Sequence, residues 1–400
     1  MTTAISQKQP HPLAELAWLF LKLGTIGFGG PAAHIAMMRD EVVRRRQWLT
    51  DAEFLDLLGA TNLIPGPNST EMAIHVGQKR AGFPGLVVAG ACFIVPAMVI
   101  VLACAWAYVR FGTLPQAQAV LYGVKPAIIT IVVQALWALA RSAVKTKFLA
   151  ATAIAATVLS ALCVNELVVL LAAGLVVPAI RSLERGSGES GGVVGIALLP
   201  FSPRRALLAV AGPGAAAGAV AQFGLWPMFL FFLKVGSVLF GSGYVLLAFL
   251  RADLVDRWHW LTESQLLDAV AVGQITPGPV FTTATFIGYL LGGVPAGLLA
   301  TLGIFLPAFF FVAISGPLVP RMRRSPAAGA FLDGVNVASL ALMAVVTWQL
   351  GRVAVCDWLT VALAIVSGVL LFRYRVNSAW LVLGGAVAGV LASVCRTWFL

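Results

Sequence analysis

The chain has 400 residues, of which 60% are hydrophobic and only 11% charged, and its formal net charge is +11. Soluble domains carry roughly 25% charged residues, so this chain lacks the polar surface to cover itself in water. Its bases sit in short loops between apolar runs, which argues against a nucleic-acid surface and for membrane topology.

The N-terminal stretch "MTTAISQKQPHPLAEL" is polar and has no basic region followed by an apolar core and cleavage site, so a removed signal peptide is not expected. The first apolar segment, "LAWLFLKLGTIGFGGPAAHIAMM" (16–38), carries Lys22 and a glycine-rich break at mid-length. Thr50 and Glu53 form a capping box that starts a helix near residue 51. That helix ends before Pro65, because "LIPGPNSTE" (63–71) cannot continue it, and another starts after Pro67. Apolar runs nearly free of charge follow at 84–109, 117–140, 148–163 and 166–180. Several of the chain's apolar runs exceed the roughly 20 residues that span a bilayer. A Gly- and Ser-rich loop (186–192) and a small-residue segment (206–222) come next.

The pattern then returns. "FLKLGTIGFGG" (20–30) lies over "FLKVGSVLFGS" (232–242), placing Lys22 on Lys234. "WLTDAEFLD" (48–56) lies over "WLTESQLLD" (260–268), and Asn62 falls on Gln274. Pro65-Gly66-Pro67 meets Pro277-Gly278-Pro279, 277 − 65 = 212 residues on. After the loss of one residue, "GFP" (82–84) meets "GVP" (293–295), Trp137 meets Trp348 and Arg141 meets Arg352. Asn165 meets Asn377 once the offset returns to 212. Apolar runs recur at 293–318, 329–351, 358–372 and 378–395. The domains are therefore a polar tail (1–11), a first repeat (12–180), a linker with an extra transmembrane segment (181–223) and a second repeat (224–395). Lys and Arg mark cytoplasmic loops. In the first half they collect at Arg39, Arg44, Arg45, Arg46, Lys79, Arg80, Arg141, Lys145 and Lys147, whereas matching loops of the second half exchange this bias. The expected fold is an all-α polytopic membrane protein of two inverted structural repeats with broken or re-entrant helices, residues 206–222 supplying the crossing that flips the second half.

Broken backbone at membrane depth is costly unless it is buried or lines a cavity, and its usual use is a substrate site. Free amides and the positive end of a helix dipole bind anions there. Asn68, Ser69 and Thr70 follow one triplet, Thr282, Thr283 and Thr285 the other. Lys22 and Lys234 lie in apolar runs with few acids near in sequence, so they either offset the charge of a bound anion or snorkel to the headgroups. Glu71 fits an N-terminal cap, Asn68-Ser-Thr-Glu71, better than a proton carrier. His34 and His75 lack metal-ligand spacing, the five cysteines lack CxxC spacing, and no nucleotide, haem or protease motif is present. No metal, cofactor or enzyme activity is expected.

These motifs carry a resemblance. "FLKLGTIGFGGPAAHIAMMRDEVV…WLTDAEFLD…NLIPGP" and its second copy resemble the chromate ion transporter family in its long, two-domain form, over nearly the whole chain outside 1–11 and 181–223. The second copy departs at "FGSGY" and has Thr283 in place of Glu71. The resemblance implies a multi-pass bacterial inner-membrane protein that exports chromate and confers chromate resistance, with sulfate as a competing oxyanion. An anion channel or a carrier of another oxyanion is the alternative. Partners would be the anion and the lipid bilayer, with a homodimer left open and no nucleic acid. The shared motifs carry over Lys22, Gly27, Phe28, Gly29, Gly30, Pro31, Asn62, Pro65, Gly66 and Pro67, with Lys234, Gly241, Ser242, Gln274, Pro277, Gly278 and Pro279 in the second copy.

Overall fold

A computed structural model describes residues 12–28, 30–112, 114–162, 164–186, 223–240, 245–374 and 376–399. The crossing expected at 206–222, and candidate residues Gly29, Gly241 and Ser242, lie outside these. The described residues form helices and no strand. Among the described residues, six helices are long and apolar enough to cross a bilayer.

The first repeat opens with α1 (Pro12–Ile26), α2 (Gly30–Arg39) running into a π-helical turn (Asp40–Arg45), α3 (Asp51–Thr61) and α4 (Asn68–Phe111). The capping box at Thr50 and Glu53 forms as expected. Helix α4 is broken at Ala81 and Gly82, where φ at Gly82 is +61°. A side chain at Gly77 would strike the backbone of Gly85, so the arms 68–80 and 83–111 fold back on each other. Pro84 sits at the start of the second arm, where its missing N–H does no harm.

Ion pairs then show how these helices run. Lys79 meets Glu53 at 3.3 Å, Arg80 meets Glu15 at 3.4 Å and Arg39 meets Asp51 at 2.7 Å. The Arg80 guanidinium also lies over the Trp48 ring. The outer ends of α1, α2, α3 and the first arm of α4 therefore share one rim. Between them lie two turns, at 27–30 and 62–67. With 11 residues, α3 reaches about 16 Å inward, roughly half of a ~30 Å hydrocarbon core. In a hydrocarbon core of that thickness a rim at one face would set both turns near mid-depth, with the flanking helices as re-entrant hairpins.

Helices α5 (Pro115–Ala143), α6 (Lys147–Ala161) and α7 (Glu166–Gly186) complete the repeat. The second copy supplies α8 (Leu225–Val238), α9 (Leu246–Leu250) with a π-helical turn (Arg251–Arg257), α10 (Glu263–Ile275), a 3-10 turn (Val280–Thr282), α11 (Thr283–Arg324), α12 (Pro326–Ala354), α13 (Trp358–Arg373) and α14 (Ser378–Phe399). It repeats one of the rim pairs, Arg251 with Glu263 in place of Arg39 with Asp51, and Phe223 stands over the fold-back at Gly292–Gly293.

The long arms of α4 and α11 pack antiparallel. Gly90 faces Phe309, while Leu102 faces Gly297. Their starts, and with them the two rims, lie on opposite faces, so the repeats are inverted. The halves also interlock. Helix α5 packs on α13 and α14, and α12 packs on α6 and α7. Glycines allow these close crossings, Gly123 against Gly385 and, equivalently, Gly334 against Ala173. Phe232, Phe249, Phe281 and Phe286 fill the largest apolar core with almost no exposure.

Candidate functional site at the crossing of the broken helices

The two triplets meet the other repeat's glycine break. The Gly66 amide donates to the Leu239 carbonyl at 2.8 Å, and the Gly278 amide donates to the Gly27 carbonyl at 2.9 Å. Both glycines have positive φ, +140° and +88°. A side chain at Gly66 would approach Ala308, and one at Gly278 would approach Ala97, its equivalent in the first repeat. Pro65-Gly66-Pro67 with Leu239, and Pro277-Gly278-Pro279 with Gly27, thus form two equivalent contacts between the repeats, each against the other repeat's long arm. Gly30, with φ +76°, opens α2 just past Gly27.

The residues after the triplets behave differently in the two copies. Asn68 turns back, its Nδ2 donating to Asn62 Oδ1 at 2.9 Å. Ser69 and Thr70 are buried, and the Thr70 hydroxyl has no hydrogen-bond partner among the described residues. In the second copy the hydroxyls of Thr282 and Thr283 donate to the carbonyls of Pro279 and Val280, and Thr285 pairs with Thr301. Their donors are spent inside the turn. Gln274, three residues before Pro277, is half-buried.

Two expectations change. The cap at Glu71 does not form, because Pro67 takes the N-cap position of α4 and offers no side-chain acceptor. Instead Glu71 is fully buried, its carboxyl lies against Gly66, and neither oxygen has a hydrogen-bond partner among the described residues. One turn on, His75 is also buried with Nε2 unpaired, while His34 Nε2 binds the Gly27 carbonyl at 2.8 Å. The lysines do not want for acids either. Lys22 pairs with Glu41 at 2.9 Å and Lys234 with Asp253 at 2.6 Å, each 19 residues on and beyond the break. Burial pushes the Glu41 carboxyl up, but the hydrogen bonds and charges of Lys22 and Arg46 outweigh it and hold the group below its ordinary range.

A second polar cluster was not anticipated. Lys125 on α5 pairs with buried Asp268 on α10 at 3.1 Å, Tyr108 donates to the same carboxylate at 2.9 Å, and Lys125 reaches Ser264 at 2.7 Å. This cluster ties the second re-entrant helix to the first repeat. A lone lysine in the run 117–140 was its signal in the sequence.

Comparison with known proteins gives one consistent answer. The chromate transporter family profile matches residues 14–177 and 226–390. A chromate transport protein of Cupriavidus metallidurans is 34% identical, covering 98% of this chain and 96% of its own. A probable chromate transport protein of Synechococcus elongatus is 31% identical, covering 95% and 96%. A chromate transport protein of Pseudomonas aeruginosa is 31% identical, covering 98% and 95%. No solved structure matches the chain.

Proposed function

The chain belongs to the chromate transporter family, and from that premise we propose that it is a secondary active exporter of chromate across a bacterial inner membrane, conferring chromate resistance. Sulfate, a dianion of the same shape, competes. The observation that carries this reading is the reciprocal bonding of each triplet to the other repeat's break. It sets two interrupted helices against each other at mid-depth, where helix ends can hold an anion. The proposed site is drawn from Asn62, Pro65–Thr70, Gln274 and Pro277–Thr283. Lys22 and Lys234, balanced by Glu41 and Asp253, contribute at its margins. Exchange of the inverted halves between equivalent arrangements gives alternating access. An inside-negative potential of about 100 mV favours outward movement of a dianion by roughly 2 × 2.3 kcal/mol. The unpaired carboxyl of Glu71 favours a proton-coupled variant, in which this group takes up or releases the exchanged proton.

The test is radiolabelled chromate uptake into inverted membrane vesicles, with and without an imposed potential. Saturable, sulfate-sensitive uptake above that of empty vesicles is the expected result. Uptake equal to that of empty vesicles would remove chromate as the substrate.

A further inference from the structure

A cavity of about 810 Å³ opens between α2, α5 and the junction of α13 with α14. Ala33, three residues past the glycine break, and Arg141, two residues before the end of α5, both line it. Arg141 rests on the Trp137 ring, 5.6 Å from its centroid, and makes no ion pair among the described residues. Gln134, Asn377 and Ser378 add amides and a hydroxyl to the wall, and no acid is among the described residues that line it. The cavity thus joins a bare guanidinium and neutral donors to the first re-entrant hairpin. Arginine's planar fork suits a tetrahedral oxyanion.

The inverted repeat supplies an internal comparison on the opposite face. Arg141 corresponds to Arg352 and Asn377 to Asn165, but Gln134 becomes Val345, Ala33 becomes buried Val245 and Ser378 becomes Glu166. Glu166 opens α7 within electrostatic reach of Lys234, Asp253 and Asp256. The cavity is lined by a cation and neutral donors, whereas the position matching Ser378 on the opposite face carries a carboxylate.

We propose that this cavity is the loading site of the transported oxyanion, held by Arg141 with Gln134, Asn377 and Ser378, and that Glu166 denies the equivalent place to anions. The proposal rests on the exporter reading and deepens it. The basic loops put Arg141 on the cytoplasmic side, so loading from that side favours outward transport. The ligand chemistry is a tetrahedral oxyanion, which could be free in solution or part of a lipid headgroup.

The experiment uses the full chain in nanodiscs of zwitterionic lipid and measures equilibrium binding of radiolabelled sulfate. Arg141→Gln and Ser378→Glu are each expected to weaken binding by about tenfold or more, the effect of one charge-assisted hydrogen bond. Ser378→Glu installs the residue that the opposite face already carries at a helix start, so it tests the site even if Arg141→Gln fails to fold. Adding anionic lipid should leave sulfate affinity unchanged. Wild-type affinity in both variants would overturn the proposal. So would loss of sulfate binding to anionic lipid, which would make the cavity a headgroup site. Because binding is read without transport, these results stand apart from the vesicle assay. A chain that moves no chromate there fails the exporter reading, whatever Arg141 binds.

Discussion

Gly66 and Leu239, 173 residues apart, are joined by a 2.8 Å hydrogen bond from amide to carbonyl, and Gly278 repeats the bond to Gly27 at 2.9 Å. Neither triplet is completed by its own repeat. Each break supplies the acceptor that the other's turn needs, so the two re-entrant hairpins are held as one unit. This explains why a Pro-Gly-Pro interruption would occur twice. A single copy would leave a buried amide and a buried carbonyl without partners, each costing about 1–3 kcal/mol.

Alanine at either glycine should therefore be costly, and by similar amounts. At Gly66 the new methyl would strike the Glu71 carboxyl, and at Gly278 it would lie 2.6 Å from the Ala97 methyl. Both positions also demand positive φ. We expect Gly66→Ala and Gly278→Ala each to destabilise by about 1–3 kcal/mol. Thermal unfolding of the purified protein in detergent checks this. A Gly66→Ala protein as stable as wild type would mean that the tie to Leu239 contributes little.

The pair Lys125–Asp268 predicts a different signature. Its side chains are only 17% and 3% exposed, so removing one partner strands the other as a buried charge. Asp268→Asn or Lys125→Met alone should cost about 3–5 kcal/mol, while the double variant should recover most of the loss. Expression level and thermal midpoint of the three variants give the readout. Equal losses that simply add would show that the two groups do not act as a pair.

What the sequence displayed and what it hid divide along physical lines. The triplets and the capping boxes, Thr50 with Glu53 and its counterpart Thr262 with Gln265 at the start of α10, are local backbone chemistry written in neighbouring residues, and the structure forms both boxes. The fold-backs at Ala81–Gly82 and Gly292–Gly293 were visible only as a matched "GFP" and "GVP", because a glycine inside an apolar run does not announce a reversal. Lys22 and Glu41 are separated by a break whose angle no periodicity encodes, so their pairing was hidden. Glu71 misled for a related reason. Its four-residue pattern was that of a cap, but the triplet had already placed Pro67 at the helix start and sent Asn68 back to Asn62. Lys125 was legible as a lone charge, yet its partner lies 143 residues further along the chain, at Asp268.

Glu71→Gln separates shape from charge at the centre. The substitution keeps the volume that packs against Gly66 and removes the titrating proton. Folding and sulfate binding should be little changed. If Glu71 exchanges protons during transport, chromate uptake into vesicles should lose its response to an imposed pH gradient and keep its response to potential. A glutamine variant with the wild-type response to both would end the proton-coupled variant and leave export on potential alone.

Phe83 and Val294 begin the long arms of α4 and α11, each just past a fold-back, and both are well exposed at 68% and 50%. Because the arms run antiparallel, these two positions must open on opposite sides of the membrane. Each can carry a cysteine without needing positive φ, unlike the neighbouring Gly82 and Gly293. In a chain freed of its own cysteines, Phe83→Cys should react with an impermeant maleimide only in inverted vesicles, and Val294→Cys only in intact cells or right-side-out vesicles. The basic loops at Lys79–Arg80 set that assignment of sides. Exchange of the two labelling patterns would reverse the membrane orientation, and with it place the Arg141 cavity outside. Labelling of both from one side would contradict the inversion itself, because antiparallel arms cannot start on the same face.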